Sequence, residues 1–222
     1  SVLYNNAQPA TNVSCNGGNN GSAFTSFGGG ITPYSFLWSP SGQTTSAASN
    51  LTAGTYTSTL TDNNGCKAET TITVTRPTVL TLSVTSTNLL CNNVNNGSAS
   101  MLTAGGTTPY TYLWATSVGT SNLASLAIIP AGSYTATVKD ANACSSTKTV
   151  TITQPAAIAA NAIPTNVSCF GSCNGSIATA PTGGTGAYTY LWNNGITTYI
   201  TSSLSSLCPA TYSLTITDAN SC

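Results

Sequence analysis

The chain has 222 residues, with four Lys and Arg, four Asp and Glu, no His and a net charge of zero. Binding to nucleic acid or to an anionic membrane surface needs clustered cations, so this composition argues against both. No apolar run approaches the ~18 residues that cross a bilayer, and no cationic start precedes an apolar region. We therefore expect no membrane insertion, and we expect the sequence to be a mature or excised piece of a protein.

One aromatic motif occurs three times along the chain. It reads TPYSFLW at Thr32–Trp38, TPYTYLW at Thr108–Trp114 and GAYTYLW at Gly186–Trp192. The three Trp residues lie 76 and 78 residues apart, and a fixed long period indicates one structural unit copied along the chain. We predict three domains, 1–77, 78–155 and 156–222, with the prolines Pro77 and Pro155 at the boundaries.

Each unit opens with a predicted strand, at Ser1–Gln8, Thr78–Thr85 and Ala156–Ile163. A polar loop follows that carries a cysteine and ends in Asn-Gly-Ser, a turn signal before the second strand. The second strand stops at paired glycines, and the aromatic motif comes next. In the second unit its Tyr110, Tyr112 and Trp114 alternate with Thr111 and Leu113, which is the period of a β-strand.

The second half of each unit holds a corner and a hairpin. After Trp192, the dipeptide Asn194-Gly195 favours a type I′ hairpin turn, which the corresponding connections Ser39–Gly42 and Ala115–Gly119 lack. A Tyr that follows a Leu-x-x-Gly or similar corner is similar in position to the tyrosine corner of immunoglobulin-type sandwiches. An alternating strand then ends in Asp-x-Asn-x-Cys, at Asp62–Cys66, Asp140–Cys144 and Asp218–Cys222.

Final strands Ala68–Thr75 and Ser146–Thr153 close the first two units, whereas the third unit has no such strand in this chain. A sandwich without its last strand exposes unpaired backbone groups. We expect either that the sequence is part of a longer repeat protein, or that Ser1–Gln8 of a neighbouring copy fills the gap by strand addition.

These elements predict an all-β protein, a tandem array of three Ig-like antiparallel β-sandwich repeats, each stapled by a disulfide. Aromatic side chains supply the largest share of such small cores. The expected core residues are Trp38, Trp114, Trp192, Tyr56, Tyr134 and Tyr212. The alternative interpretation of the aromatic ladder is an exposed platform that stacks on sugars.

Eight cysteines in a chain of small units indicate an oxidising compartment. Zinc sites bring their ligands in close pairs, usually with His, so disulfides are favoured over metal. The recurrence at separations of 51, 53 and 53 residues predicts one bridge in each unit, Cys15–Cys66, Cys91–Cys144 and Cys169–Cys222. Cys173 and Cys208 occur only in the third unit, and we expect them to pair with each other.

Asp62, Asp140 and Asp218 occupy equivalent positions, where an Asp side chain commonly caps a turn. Calcium is the alternative, although it requires more than one carboxylate and each unit offers one. Without His, paired carboxylates within a unit or a Gly-rich loop before a helix, the usual catalytic constellations cannot be assembled. We expect no enzyme, no catalytic residues, no cofactor and no metal.

The complete unit resembles the SprB-type repeat found in cell-surface adhesins of gliding Bacteroidetes. In the third unit the resemblance rests on Val167–Gly171, Asn174–Ile177, Gly183–Gly195, Ala210–Tyr212 and Thr217–Cys222, and in the second on Gly105–Tyr110, Ala131–Tyr134 and Ile152–Pro155. It implies a tandem Ig-like array, exported by the type IX route, that serves as a filament or stalk in surface adhesion and gliding.

We therefore expect a structural repeat segment of an extracellular, cell-surface filament or stalk. Its partners would be other repeats of the same protein or copies of itself. Two alternatives stay open: repeats that themselves bind surface polysaccharide, and subunits of a homopolymeric filament joined by donor-strand exchange.

Overall fold

The computed structural model describes residues 1–116 and 119–222; residues 117 and 118, in the predicted connection Ala115–Gly119, lie outside the described residues. Throughout the described part the regular structure is β, as predicted. The first unit contains β1 (Tyr4–Ala7), β2 (Gly21–Gly28), β3 (Ser35–Ser39), β4 (Ala47–Leu51), β5 (Gly54–Thr61) and β6 (Lys67–Val74).

The other two units repeat this order with small variations. The second contains β7 (Thr81–Thr87), β8 (Gly97–Ala104), β9 (Thr111–Thr116), β10 (Gly119–Ser121), β11 (Ser125–Ile129), β12 (Gly132–Lys139) and β13 (Ser145–Ile152). The third contains β14 (Ile163–Thr165), β15 (Gly175–Ala178), β16 (Thr189–Asn193), β17 (Thr198–Tyr199), β18 (Ser203–Leu207) and β19 (Ser213–Thr217).

Each unit is a sandwich of two antiparallel sheets. The sheet orders are β1-β2-β4 with β3-β5-β6, β7-β8-β11 with β10-β9-β12-β13, and β14-β15-β18 with β17-β16-β19. Each core draws residues from both sheets; in the first unit Ala23 and Leu51 on one sheet pack with Trp38 and Ile72 on the other. This is the packing of an Ig-like sandwich, so the predicted fold class is confirmed.

Side chains alternate between the buried and the exposed face of each strand, and this alternation determines which residues of the nearly uncharged chain form the core. In β5 the side chains of Tyr56, Ser58 and Leu60 are buried while the threonines between them point outward. On the outer face the threonines pair across strands, with Oγ1 atoms 3.5 Å apart for Thr57 and Thr71. Threonine suits both roles because it is β-branched and polar.

The three Trp side chains lie at the centres of the three cores, with exposures of 0 % for Trp38 and Trp114 and 2 % for Trp192. Trp38 Nε1 donates to the Thr45 carbonyl oxygen at 2.8 Å, and Trp192 Nε1 donates to that of Thr201 at 2.9 Å. These indole rings are enclosed by protein, so they cannot serve as a stacking platform for sugars.

The Tyr that follows each corner makes the same hydrogen bond three times. Its hydroxyl donates to the carbonyl oxygen four residues earlier, at 3.0 Å from Tyr56 to Thr52, 2.8 Å from Tyr134 to Pro130 and 3.1 Å from Tyr212 to Cys208. This arrangement satisfies a corner carbonyl while the ring packs inward, which is how a tyrosine corner works.

The predicted type I′ turn after Trp192 is instead a four-residue loop, because Asn193 pairs with Thr198. The Asn194 side-chain oxygen accepts hydrogen bonds from the backbone N–H groups of Ile196 and Thr197. The side chain therefore closes the loop in place of the tight turn that the dipeptide favours.

In the third sandwich the strand β19 lies at the edge of its sheet. β19 pairs with β16, and no described residue pairs along its other side, where β6 pairs with β5 and β13 pairs with β12 in the other units. A cleft of about 590 Å³ borders this region, with Ile158, Leu214 and Ile216 in its lining. Leu214 and Ile216 are thus only partly buried along this edge.

Candidate functional site: the junctions between units

The two period-related cysteines of one unit lie at opposite ends of its sandwich. Cys66 precedes β6, whereas the loop of Cys15 is tied to the end of that strand, where Val13 N–H donates to the Thr75 carbonyl oxygen at 3.1 Å. Eight residues of strand at ~3.3 Å each separate these ends by roughly 25 Å. A disulfide requires Cα atoms within about 7 Å, so the two cysteines of one unit cannot pair.

The disulfides instead join neighbouring units. Cys15 pairs with Cys144 and Cys91 with Cys222, with Cα–Cα distances of 5.7 Å and 5.5 Å. The predicted pairs Cys15–Cys66, Cys91–Cys144 and Cys169–Cys222 were therefore wrong. Cys66 and Cys169, predicted to be bridged, are free and exposed.

The sequence period is the reason for this error. A loop cysteine and a hairpin cysteine recur once per unit, so the spacing cannot tell a bridge within one unit from a bridge to the next. The pair that occurs in the third unit only, Cys173–Cys208, is confirmed.

Each hairpin that supplies a bridging cysteine is built around its buried Asp. Asp140 Oδ1 accepts from the backbone N–H groups of Asn142 and Cys144, both at 2.9 Å, and Oδ2 accepts from Thr107 at 2.9 Å. Asp62 and Asp218 make the same three bonds in their units. The Asp thus holds the loop that carries the cysteine, and within the described part of the chain no group of three His, Cys, Asp or Glu could bind a metal ion.

These hydrogen bonds also lower the pKa of two of the carboxyls, those of Asp62 and Asp218. Burial by itself raises the pKa of Asp62, but hydrogen bonds from the N–H groups of Cys66, Ile31 and Asn64 together outweigh it and hold the pKa below its ordinary value. For Asp218 the largest influence is the hydrogen bond from Cys222, which lowers the pKa against the effect of burial. The capping form of these two residues is therefore the charged carboxylate.

Paired glycines let the backbone approach this Asp. A Cβ on Gly106, whose φ is +65°, would lie 2.8 Å from Asp140 Oδ2, and a Cβ on Gly105 would lie 1.9 Å from the Val79 carbonyl oxygen. Tyr110 then donates to the Gly105 carbonyl oxygen at 2.6 Å. The first strand of the unit, the paired glycines and the hairpin therefore pack closely together. This packing fixes the position of the hairpin cysteine.

An asparagine beside each bridge makes a second tie between units. Asn142 Nδ2 donates to the Ser14 carbonyl oxygen at 2.9 Å, and Asn220 Nδ2 donates to that of Leu90 at 3.1 Å. The accepting loop is held in turn, because Asn20 Oδ1 accepts from Ser14 N–H at 3.0 Å. Sequence reasoning gave Asn142 and Asn220 no partner, since a backbone carbonyl leaves no sequence signal.

The same cysteine loop holds the boundary proline. Asn16 Nδ2 donates to the Pro77 carbonyl oxygen, and Asn92 Nδ2 donates to that of Pro155, both at 3.0 Å. Each junction thus combines a disulfide, a hydrogen bond from the Asn side chain of the following unit and a hydrogen bond to the connecting segment. These three contacts link one unit to the next and to the segment between them.

The fold and these junctions define a class of protein, a tandem array of Ig-like sandwiches whose neighbours are covalently joined. The family model described as the SprB repeat matches residues 7–43, 83–119 and 161–197, together half of the chain. The chain belongs to the SprB repeat family. A comparison with curated proteins found no relative.

The solved structures that align with this chain are distant from it in sequence. The N-terminal eight Ig domains of Down Syndrome Cell Adhesion Molecule align with 89 % of this chain at 14 % identity and a TM-score of 0.46. This chain covers 30 % of that one. The chicken CNTN1 FN1-FN3 domains align with 98 % of this chain and 92 % of their own at 11 % identity and a TM-score of 0.29.

Among the described residues, no helix is long and apolar enough to cross a membrane.

Proposed function

We propose that this chain is a structural segment of an extracellular surface protein, in which disulfides between consecutive repeats turn a string of small domains into a stiff stalk. The observation that carries this proposal is the pair of equivalent bridges, Cys15–Cys144 and Cys91–Cys222. Two junctions of one design in one chain indicate a repeating connection. The segments 1–77, 78–155 and 156–222 are its proposed domains.

The chemistry of the junction supports a mechanical role. Domains joined by one polar linker move freely unless their interface is large. Here a second covalent connection and two hydrogen bonds act at each junction, so bending requires these ties to distort. Disulfides persist in oxidising compartments, which supports the placement outside the cell. Membership of the SprB family supports a role in a surface adhesin. We propose gliding and export by the type IX route as the more specific assignments.

Small-angle X-ray scattering compares the stiffness of the native chain with that of a variant that lacks one junction disulfide. The native chain should show a narrow distribution of interatomic distances, and a variant with Cys15→Ser and Cys144→Ser should show a broader one. Cys173→Ser with Cys208→Ser is the matched control, because it removes a bridge within one unit and should leave the distribution unchanged. Identical curves for the native chain and the junction variant would contradict a stiffening role.

A second candidate function is a homopolymer joined by strand addition, in which a donor strand would pair with β19 as β6 pairs with β5 in the first unit. Leu214 and Ile216 flank the cleft beside this edge, and an added strand with alternating apolar residues would cover them. A synthetic Ser1–Gln8 peptide should raise the melting temperature of the third unit if it is the donor. A peptide of residues 67–75, which provides β6, is the positive control for the edge itself.

The third candidate is the binding of surface polysaccharide. The Trp rings that could best stack on sugars are not available for it, because all three side chains are buried. A glycan array probed with the full chain separates a binder from a spacer, which should bind nothing.

A further inference from the structure

The first unit carries two exposed aromatic side chains on the outer face of its β1-β2-β4 sheet. Tyr4 on β1 is 47 % exposed and Phe24 on β2 is 48 % exposed. Side chains alternate along a strand, and the neighbours Asn5, Ala23 and Thr25 are buried. Both rings therefore point away from the core, on the same side of the sheet.

The register of the two strands sets the distance between the rings. Tyr4 lies opposite Gly28, and the Gln8 N–H group donates to the Phe24 carbonyl oxygen at 3.2 Å. Four residues of β2 at ~3.3 Å each separate Gly28 from Phe24, which amounts to roughly 13 Å. A single extended molecule that lies along the strands can reach both rings.

The absence of a side chain at Gly28 lets the Tyr4 ring lie against the sheet. A Cβ on Gly28 would lie 2.7 Å from the Tyr4 hydroxyl oxygen and 3.0 Å from the ring carbon Cε1. The ring thus lies across the glycine, with one side against the backbone and the other toward solvent. A ring held in this way offers a flat surface for stacking.

Polar side chains lie between the two rings. Asn6 and Ser26 are opposite each other and exposed. Gln8 Nε2 donates to Ser26 Oγ at 2.9 Å, which holds the Gln8 side chain over the sheet. The Asn6 amide has two donor hydrogens and an acceptor oxygen. We refer to Tyr4, Asn6, Gln8, Phe24 and Ser26 as the aromatic face.

The strand beneath the aromatic face is tied to the opposite sheet. Asn5, buried between Tyr4 and Asn6, donates through Nδ2 to the Ser58 carbonyl oxygen at 2.9 Å and to the Ala68 carbonyl oxygen at 3.4 Å. These bonds fasten β1 to β5 and β6 across the core. A surface that is rigid before it binds loses less conformational entropy on binding.

The aromatic face is uncharged. No Asp, Glu, Lys or Arg occurs before Asp62, and β1, β2 and β4 all lie before that residue. A charged ligand would give up hydration here without gaining an ion pair. The face therefore suits a neutral ligand that has both flat apolar surfaces and hydroxyl groups.

The equivalent face of the second unit has no rings. Its strands β7 and β8 pair as β1 and β2 do, and Thr81 stands in the place of Tyr4. By the same register Ser100 stands in the place of Phe24. Thr81, and Ala159 at the same position of the third unit, are exposed although another unit precedes each of them. A preceding unit thus leaves this position open.

We propose that the aromatic face binds a neutral, extended polysaccharide whose sugar rings stack on Tyr4 and Phe24 and whose hydroxyl groups bond to Asn6 and Gln8. Sugar rings present C–H groups on their flat sides, and stacking removes these and the aromatic rings from water. This site rests on the third candidate function above, and it requires neither the buried Trp residues nor the junction disulfides.

Isothermal titration calorimetry of the full chain with hexasaccharides of β-linked glucose, mannose and xylose tests this site. The native chain should bind at least one of them. Phe24→Ala removes one ring, and Tyr4→Leu keeps an apolar side chain over Gly28 but removes the flat ring. Each should weaken binding about tenfold, as truncation of an anchoring aromatic residue does.

Two control variants separate stacking from structural effects. Tyr4→Phe keeps the ring and should hold the affinity within about twofold of the native value. Ser100→Ala changes the position of the second unit that corresponds to Phe24, and it should leave the affinity unchanged. Melting temperatures of all variants show whether the first unit stays folded.

Three results would overturn the site. If Phe24→Ala and Tyr4→Leu bind as tightly as the native chain, polysaccharide binding stands as a function but occurs elsewhere on the chain. If no hexasaccharide binds, the aromatic face is not a sugar site, and the glycan array then decides whether the third candidate function survives. If both variants instead abolish a concentration-dependent association seen by sedimentation, the occupant is a second copy of the chain.

Discussion

A force applied between residues 1 and 222 should extend the oxidised chain by only a fraction of its length. The force passes along the chain to Cys15, crosses to Cys144, returns to Cys91 and crosses to Cys222. The segments that can extend are the 14 peptide units before Cys15 and the 53 between Cys91 and Cys144. At up to ~3.6 Å per unit, these 67 units give a limit of about 240 Å.

Reduction removes this limit. All of the peptide units then extend, to about 800 Å at the same length per unit. Single-molecule force spectroscopy with handles on both termini measures the final contour length before and after dithiothreitol. An oxidised chain that extends to the reduced length would refute the closed bridges.

Serine variants distinguish bridges between units from bridges within units, which would give nearly the same limit in the native chain. If the bridges join units, Cys66→Ser leaves the limit unchanged, and Cys144→Ser raises it to about 90 units, or about 320 Å. If they lie within units, Cys66→Ser raises it to roughly 115 units, or about 410 Å. A longer contour for Cys66→Ser would therefore contradict the structure.

Three further predictions concern the units themselves. Tyr134→Phe should cost the second unit about 1 kcal/mol of unfolding free energy in native-state hydrogen exchange, because it removes the corner hydrogen bond. Gly29→Ala should destabilise the first unit by about 1–3 kcal/mol more than Gly42→Ala in the same exchange measurement, since both have φ above +70° but only Gly29 faces a carbonyl at 1.8 Å. The stability that Asp62 contributes should be complete above its unfolded pKa of about 3.9 and lost as the pH falls through its lowered folded pKa. Thermal melts from pH 6 to pH 2 should show this loss, and Asp62→Asn should reduce it.

Each of these has an internal check. Tyr112→Phe is the control for Tyr134→Phe, because the Tyr112 side chain packs against the same core and its hydroxyl has no partner among the described residues; equal losses would argue against the corner bond. Equal effects of the two glycine variants would show that the close approach is unimportant. A chain that gains stability on acidification would contradict the sign expected for Asp62.

Much of the fold could be predicted because it depends on local alternation. Trp114 is the largest apolar side chain of its unit and stands on a strand with a period of two, so its place in the core follows from the sequence. The corner tyrosines could be recognised because their partners are four residues away in the chain. The Asp of each hairpin could be recognised as a turn cap for the same reason.

The junctions could not be predicted, because they depend on which end of a sandwich faces the next unit. One loop cysteine and one hairpin cysteine recur in every unit. The spacing is therefore equally compatible with a Cys15–Cys66 and with a Cys15–Cys144 disulfide. The β6 strand settles the choice by separating the two ends of the first unit. Asn142 meets a backbone carbonyl of the preceding unit, and such a partner has no residue type that a sequence could reveal.

Peptide mapping of the unreduced protein tests the connection between units most directly. After alkylation of free thiols and unfolding, trypsin should cleave after Lys67, Lys139 and Lys148 and release residues 140–148, which contain Cys144. The account predicts this peptide in disulfide linkage to residues 1–67, and residues 68–139 in linkage to residues 149–222. Linkage of residues 140–148 to residues 68–139 would contradict it.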